Sequence, residues 1–125
     1  IEATKRIGYF VEAKNLIANN CAKQGRKSKM SAKKIQERYI STGINHFISG
    51  EYPSNGCMLG YVIEGTPTRI VENINEILLQ ATRSDETLKK EELDIPYIEE
   101  AYISVHLNDY VLHHYFLQFS KPQNS

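Results

Sequence analysis

Cys57-Met58-Leu59-Gly60-Tyr61-Val62-Ile63 is an almost unbroken apolar run, and it constrains the fold more than any other stretch of the chain. A strand with one face in water alternates polar and apolar side chains; a strand in the middle of a parallel sheet is apolar on both faces. The run therefore predicts a central strand covered on both sides. Its neighbours supply the cover. Ile35, Tyr39, Ile40, Ile44, Phe47 and Ile48 recur at helical spacing, with Ser31 suited to cap the start and Gly50 to stop the helix. After Gly65, Thr66 and Pro67 suit a second helix start, and Ile70, Val71, Ile74, Ile77 and Leu78 trace one helical face.

The remaining segments fit round this centre. Residues 7–14 are rich in aromatic and β-branched residues and predict a strand, with residues 1–6 ending an earlier one. Residues 15–31 read as a basic loop, and 51–56, with Pro53 and Asn55-Gly56, as a turn. Residues 84–100 are densely charged and read as a linker or surface excursion. Two strands follow, 102–107 and 111–120, joined by the tight-turn pair Asn108-Asp109, and residues 121–125 read as a frayed tail. The order strand, helix, strand, helix, hairpin predicts one α/β domain over residues 1–125, a mixed sheet flanked by helices.

At 125 residues, with 41% hydrophobic and 24% charged residues, the chain suits a single globular domain. No apolar run approaches the roughly 20 residues of a membrane span, and no charged-then-apolar leader opens the sequence. The expected compartment is the cytoplasm, where Cys21 and Cys57 stay thiols; no Cys/His cluster has zinc spacing. The first residue is Ile1 rather than Met, which leads us to expect more chain upstream and a domain lacking the N-terminal part of its core. Net charge is zero but uneven: residues 1–40 hold 10 Lys and Arg against 3 Asp and Glu, and the remainder holds 5 against 12. One end is thus suited to meet a polyanion, or to present a solvated basic loop.

Glu12-Ala13-Lys14 carries the chemistry in this reading. Side chains alternate along a strand, so Glu12 and Lys14 share one face while Val11 and Ala13 point the other way, into a core. Phosphodiester hydrolysis needs a divalent cation, an activated water and positive charge near the phosphate. A carboxylate at a strand end can hold the cation, with the backbone carbonyl of Ala13 as a further oxygen ligand. A lysine two residues on can orient the water. The same triplet also serves as a plain ion pair on a solvated strand face.

Tyr9-Phe10-Val11-Glu12-Ala13-Lys14-Asn15-Leu16 resembles the second half-motif of the PD-(D/E)xK phosphodiesterases, the restriction-endonuclease-like superfamily: an apolar strand ending in Glu-x-Lys. Arg38-Tyr39-Ile40, Gly43-Ile44, Phe47-Ile48, Gly50 and Tyr52, and then Met58-Leu59-Gly60-Tyr61-Val62, are similar to segments of uncharacterised bacterial proteins of that superfamily. The resemblance spans most of residues 7–79. It implies a restriction-endonuclease-like mixed sheet and an Mg²⁺- or Mn²⁺-dependent endonuclease acting on double-stranded DNA, in restriction or phage defence. Glu12 would be a metal ligand and Lys14 would position the attacking water. The superfamily's first acidic ligand, an Asp on the preceding strand, has no clear match; Glu2 is the only acidic residue before Glu12. Either Glu2 serves, or the Asp lies upstream of Ile1, or the site has lost it and the domain only binds nucleic acid or assembles with a partner.

Lys23, Arg26, Lys27 and Lys29 of the basic loop, and Lys33, Lys34, Gln36 and Arg38 at the helix start, are candidate backbone-phosphate contacts. Tyr39, Phe47 and Tyr61 read as core rather than as base-stacking platforms. His46 is expected to be partly exposed. His106 and His114 could face each other across the hairpin, although packing or surface roles are the expectation for these and for His113. A homodimer or a fused additional domain is compatible with this reading, and so is a structural interaction domain that docks a partner through residues 84–100. No Ser-His-Asp order or phosphate-cradling glycine loop is evident.

Overall fold

In the computed structural model, residues 9–22, 29–92, 96, 98 and 100–118 are described. The strands are β1 (Phe10–Ile17), β2 (Cys21–Ala22), β3 (Lys29–Met30), β4 (Gly56–Glu64), β5 (Lys89–Glu91), β6 (Glu100–His106) and β7 (Tyr110–Gln118). The helices are α1 (Ala32–Tyr39), which runs through a π-helical turn (Ile40–Ile44) into α2 (Asn45–Ser49), and α3 (Pro67–Gln80). The main sheet has the order β1-β4-β7-β6-β5, and β2 and β3 form a separate two-stranded pair. β4 runs parallel to both β1 and β7, while β6 is antiparallel to β7 and to β5. The apolar run thus lies inside the sheet, and the fold is α/β with a mixed sheet and helices.

Local signals set the element ends as expected. Ser31 accepts a hydrogen bond from the Lys34 N–H and Thr66 from the Arg69 N–H, each satisfying a free donor at a helix start. Pro67 occupies the first turn of α3. Gly50 and Gly65 both adopt positive φ, at 87° and 88°, where a side chain would be strained. Asn108 and Asp109 take φ of 62° and 59°, the left-handed pair that reverses the β6–β7 hairpin.

Tertiary contacts altered three expectations. The helix read as continuous over residues 31–50 contains the π-helical turn Ile40–Ile44. Gly43 sits in that turn because a β-carbon there would lie 2.5 Å from Met58 Cε. Residues 15–17, read as loop, extend β1: Leu16 and Ile17 are buried, and Gln36 of α1 donates a hydrogen bond to the Ile17 carbonyl (2.8 Å). Gln36 is therefore a packed core residue and not a phosphate contact. Within the stretch read as a linker or surface excursion, Ser84–Glu86 form a 3-10 turn and Lys89–Glu91 pair with β6.

One face of the sheet holds the core. Leu16, Met58, Val62, Leu112, Phe116 and Tyr102 lie there under Tyr39, Ile40, Ile44, Phe47, Ile70, Val71, Ile74 and Leu78 of the helices. Burying apolar side chains of this size stabilises by roughly 1.5–3 kcal/mol each. The opposite face differs from expectation. Val11 is 46% exposed, Ala13 is exposed, and Ile63, Val105 and Val111 also reach solvent. Val11 and Ala13 do point away from Glu12 and Lys14, but the core lies on the charged pair's side.

Candidate functional site

Strand alternation puts Phe10, Glu12, Lys14 and Leu16 on the helix-covered face, with Leu16 sealed in the core and the two charged residues nearer its margin. Lys14 Nζ lies 3.1 Å from Glu12 Oε2, and the two side chains are 23% and 19% exposed. The π-helical turn meets them from above. Lys14 donates to Thr42 Oγ1 (2.9 Å), Thr42 donates onward to the Arg38 carbonyl (3.0 Å), and Tyr52 donates to the Thr42 carbonyl (3.0 Å). Desolvation first, then the neighbouring Glu12 carboxylate, raises the Tyr52 phenol above its ordinary pKa. Single π-helical turns within α-helices recur at functional sites because they redirect a few side chains. Here the turn carries Thr42 to the lysine.

An open cleft of about 500 Å³ is lined by Lys14 of this pair, though not by Glu12, together with Asn15, Met30, Ser31, Lys34, Ile35 and Arg38. Of the basic residues singled out in the sequence, the structure brings Lys14, Lys34 and Arg38 together on this cleft. Lys33 is exposed and does not line it. Lys29 lies in β3. Glu2, Lys23, Arg26 and Lys27 fall outside the described residues. Thr42 and Tyr52 are additions to the residues expected from the sequence: Thr42 is placed by the π turn, which leaves no mark in hydrophobic periodicity, and Tyr52 by the chain reversal after Gly50.

The oxygen atoms at this edge are hard donors. The Phe10 N–H donates toward the β4 side, to the Asn55 carbonyl (2.9 Å). The two-residue period then turns the backbone of Glu12 and Lys14 toward β4 and that of Val11 and Ala13 toward the outer edge. Glu12 therefore carries a carboxylate on the helix-covered face, and the next residue, Ala13, an outward carbonyl. Mg²⁺ is commonly held by one or two carboxylates and keeps several waters, so this pair fits it, and Mn²⁺ favours the same oxygen donors. Among the described residues, no group of three or more His, Cys, Asp or Glu side chains could hold a metal.

His106 and His114 are packed residues, as expected, and the alternative of a facing pair across the hairpin fails. His106 pairs with Tyr110 and His114 with Tyr102, so the two are not opposed across the hairpin. Both are buried, and both bond to Ser104. Glu86, His106 and Ser104 have the connectivity of a hydrolase triad, yet Ser104 is only 1% exposed, so its hydroxyl cannot reach a substrate. His46 is partly exposed, and Tyr39 and Phe47 are core residues as read. Cys21 and Cys57 are free, and burial raises the Cys57 thiol pKa. No helix among the described residues is long and apolar enough to cross a membrane. No protein-family model, curated protein or solved structure significantly matches the chain.

Proposed function

We propose that this chain is part of a metal-dependent nuclease of the restriction-endonuclease-like PD-(D/E)xK type, cleaving phosphodiester bonds of double-stranded DNA. One observation carries the reading: Glu12 and Lys14 project together, 3.1 Å apart, from one strand beside a cleft that Lys34 and Arg38 also line. The ladder of β1 parallel to β4, with helical cover on the Glu12 face, is compatible with that superfamily's core.

Glu12 and the Ala13 carbonyl would hold Mg²⁺, which supplies Lewis-acid polarisation of the phosphate and a more acidic bound water. Lys14 does the positioning. Its ammonium, pinned by Thr42, can orient the attacking water and offset charge building on the phosphate oxygens. Lys34 and Arg38 bind the flanking backbone, Arg38 with a planar fork suited to phosphate. Such contacts give affinity without reading sequence.

The test is cleavage of supercoiled DNA by the protein with Mg²⁺, wild type against Lys14→Ala. Loss of one preorganised transition-state contact costs on the order of 10²–10³ in rate, with DNA binding retained. Equal rates would remove Lys14 from the mechanism. Wild-type protein that binds DNA but never cuts it would make the chain a binding or assembly subunit, and absence of both would overturn the proposal.

A further inference from the structure

Away from the cleft, five side chains form one unbroken line of hydrogen bonds through the core. Tyr39 Oη lies 2.7 Å from His114 Nδ1, and His114 Nε2 lies 2.7 Å from Ser104 Oγ. Ser104 Oγ is also 2.7 Å from His106 Nε2, and His106 Nδ1 is 2.6 Å from Glu86 Oε1. Tyr39 and His114 are sealed from solvent; Glu86, 24% exposed and clasped by Arg83, is the end that meets water.

Proton counting fixes the direction of every link. A carboxylate has no proton to give, so His106 carries its hydrogen on Nδ1 and donates to Glu86. In a neutral ring Nε2 is then an acceptor, and the single Ser104 hydrogen goes there. Ser104 Oγ accepts from His114 Nε2–H, which leaves His114 Nδ1 to accept from the Tyr39 hydroxyl. No hydrogen is spare and no link lacks one.

We propose that this line is a proton-ordered latch: Glu86 sets the tautomers of both histidines and the direction of the Tyr39 hydroxyl, and one added proton on His106 reverses the line and leaves the Tyr39 hydroxyl hydrogen without its acceptor. A proton taken from solvent onto His106 sits on Nε2, which then donates to Ser104. Ser104 must turn its hydroxyl toward His114 Nε2. That nitrogen can accept only in the Nδ1–H tautomer of His114, reached when local opening lets water take the Nε2 proton and supply one to Nδ1, where it points at Tyr39. The Tyr39 hydroxyl hydrogen then has no acceptor within the line. Tyr39 is the last residue of α1 and leads directly into the π-helical turn, so the orphaned hydroxyl hydrogen acts on the segment that carries Thr42. The latch does not depend on the nuclease reading.

Among the described residues, few charged and titratable groups face the line. Glu86, Asp85 and Asp109 share a small cavity of about 380 Å³ with His106, the Tyr110 ring lies 6.5 Å from the His106 ring, and Arg83 acts through Glu86. His113 neighbours His114, and Cys57 lies toward Tyr39. Burial lowers the pKa of both His106 and His114, which keeps both rings neutral near pH 7 and the ordered state in place.

Long-range ¹H–¹⁵N NMR of histidine-labelled protein tests this directly. At pH 7.5 His106 should be the Nδ1–H form and His114 the Nε2–H form. As pH falls, His114 should change tautomer in the same transition that protonates His106. Exchange of the amides of residues 40–44 should then speed up by about tenfold, the size expected when a buried donor loses its acceptor. Ser104→Ala should break the coupling, so that His114 no longer follows His106. Opposite tautomers, separate titrations in the wild type, or a histidine transition that leaves amide exchange in 40–44 unchanged would each overturn the latch. The wild-type titration decides alone if Ser104→Ala fails to fold.

Discussion

The Glu12–Lys14 pair and the line from Glu86 to Tyr39 use the same kinds of group to opposite ends. The pair sits at the margin of the core, partly exposed, with its Lys14 side lining a cleft. Four of the five members of the line are buried, every polar atom in it is spoken for, and its one charged end is clasped by Arg83. Ion pairs that water still reaches stabilise little because water competes and two flexible side chains must be held still. Buried polar groups contribute little net when paired but cost heavily when orphaned. On the proposed reading the pair serves chemistry, while the line holds a structure.

Breaking the line should therefore cost the most stability. Ser104→Ala leaves a buried N–H on His114 and an acceptor nitrogen on His106 without partners, and urea denaturation should show a loss of about 1–3 kcal/mol. A loss near zero would mean that the rings find other partners and that the contrast is false.

Acid should act next, through the same residues. Burial lowers both histidine pKa values below the ordinary 6.5, so the unfolded chain binds more protons than the native state below that pH. Stability is complete above pH 6.5 and falls as the pH drops from there through the folded values. Glu86 is held to about 2, first by its hydrogen bond from Arg83, so its own contribution goes only between about pH 4.5 and 2. Denaturation midpoints compared at pH 7.5 and 5.5 should thus drop in the wild type. A flat profile over that interval would sever the line from stability.

The smallest effect belongs to the pair. Lys14→Ala should change stability by no more than about 1 kcal/mol, read from the same urea curves, because the Glu12 carboxylate it leaves is partly hydrated. A loss as large as that of Ser104→Ala would make Lys14 a structural residue and weaken the case for its role in cleavage.

Much of the architecture was legible before any coordinates. Short-range rules decided the apolar run that became β4, the caps at Ser31 and Thr66, the stops at Gly50 and Gly65 and the Asn108-Asp109 reversal, since each depends on a few adjacent residues. The two-residue period also placed Glu12 and Lys14 on one side. That period cannot say which side faces the core, and here the covered face is the charged one. β5 escaped notice because a three-residue strand, Lys-Lys-Glu, has no apolar pattern and exists only through its pairing with β6.

What the sequence determined alone was the local alphabet: where helices begin and end, which strand lies inside the sheet, and which two side chains of one strand travel together. Only the tertiary structure decided that Thr42 reaches Lys14 through a π-helical turn, and that Tyr39, Glu86, Ser104, His106 and His114 meet in one line. Those contacts join residues up to 75 positions apart. Hydrogen bonding acts over a few ångströms of space, and distance along the chain carries no record of it until the sheet and helices have packed.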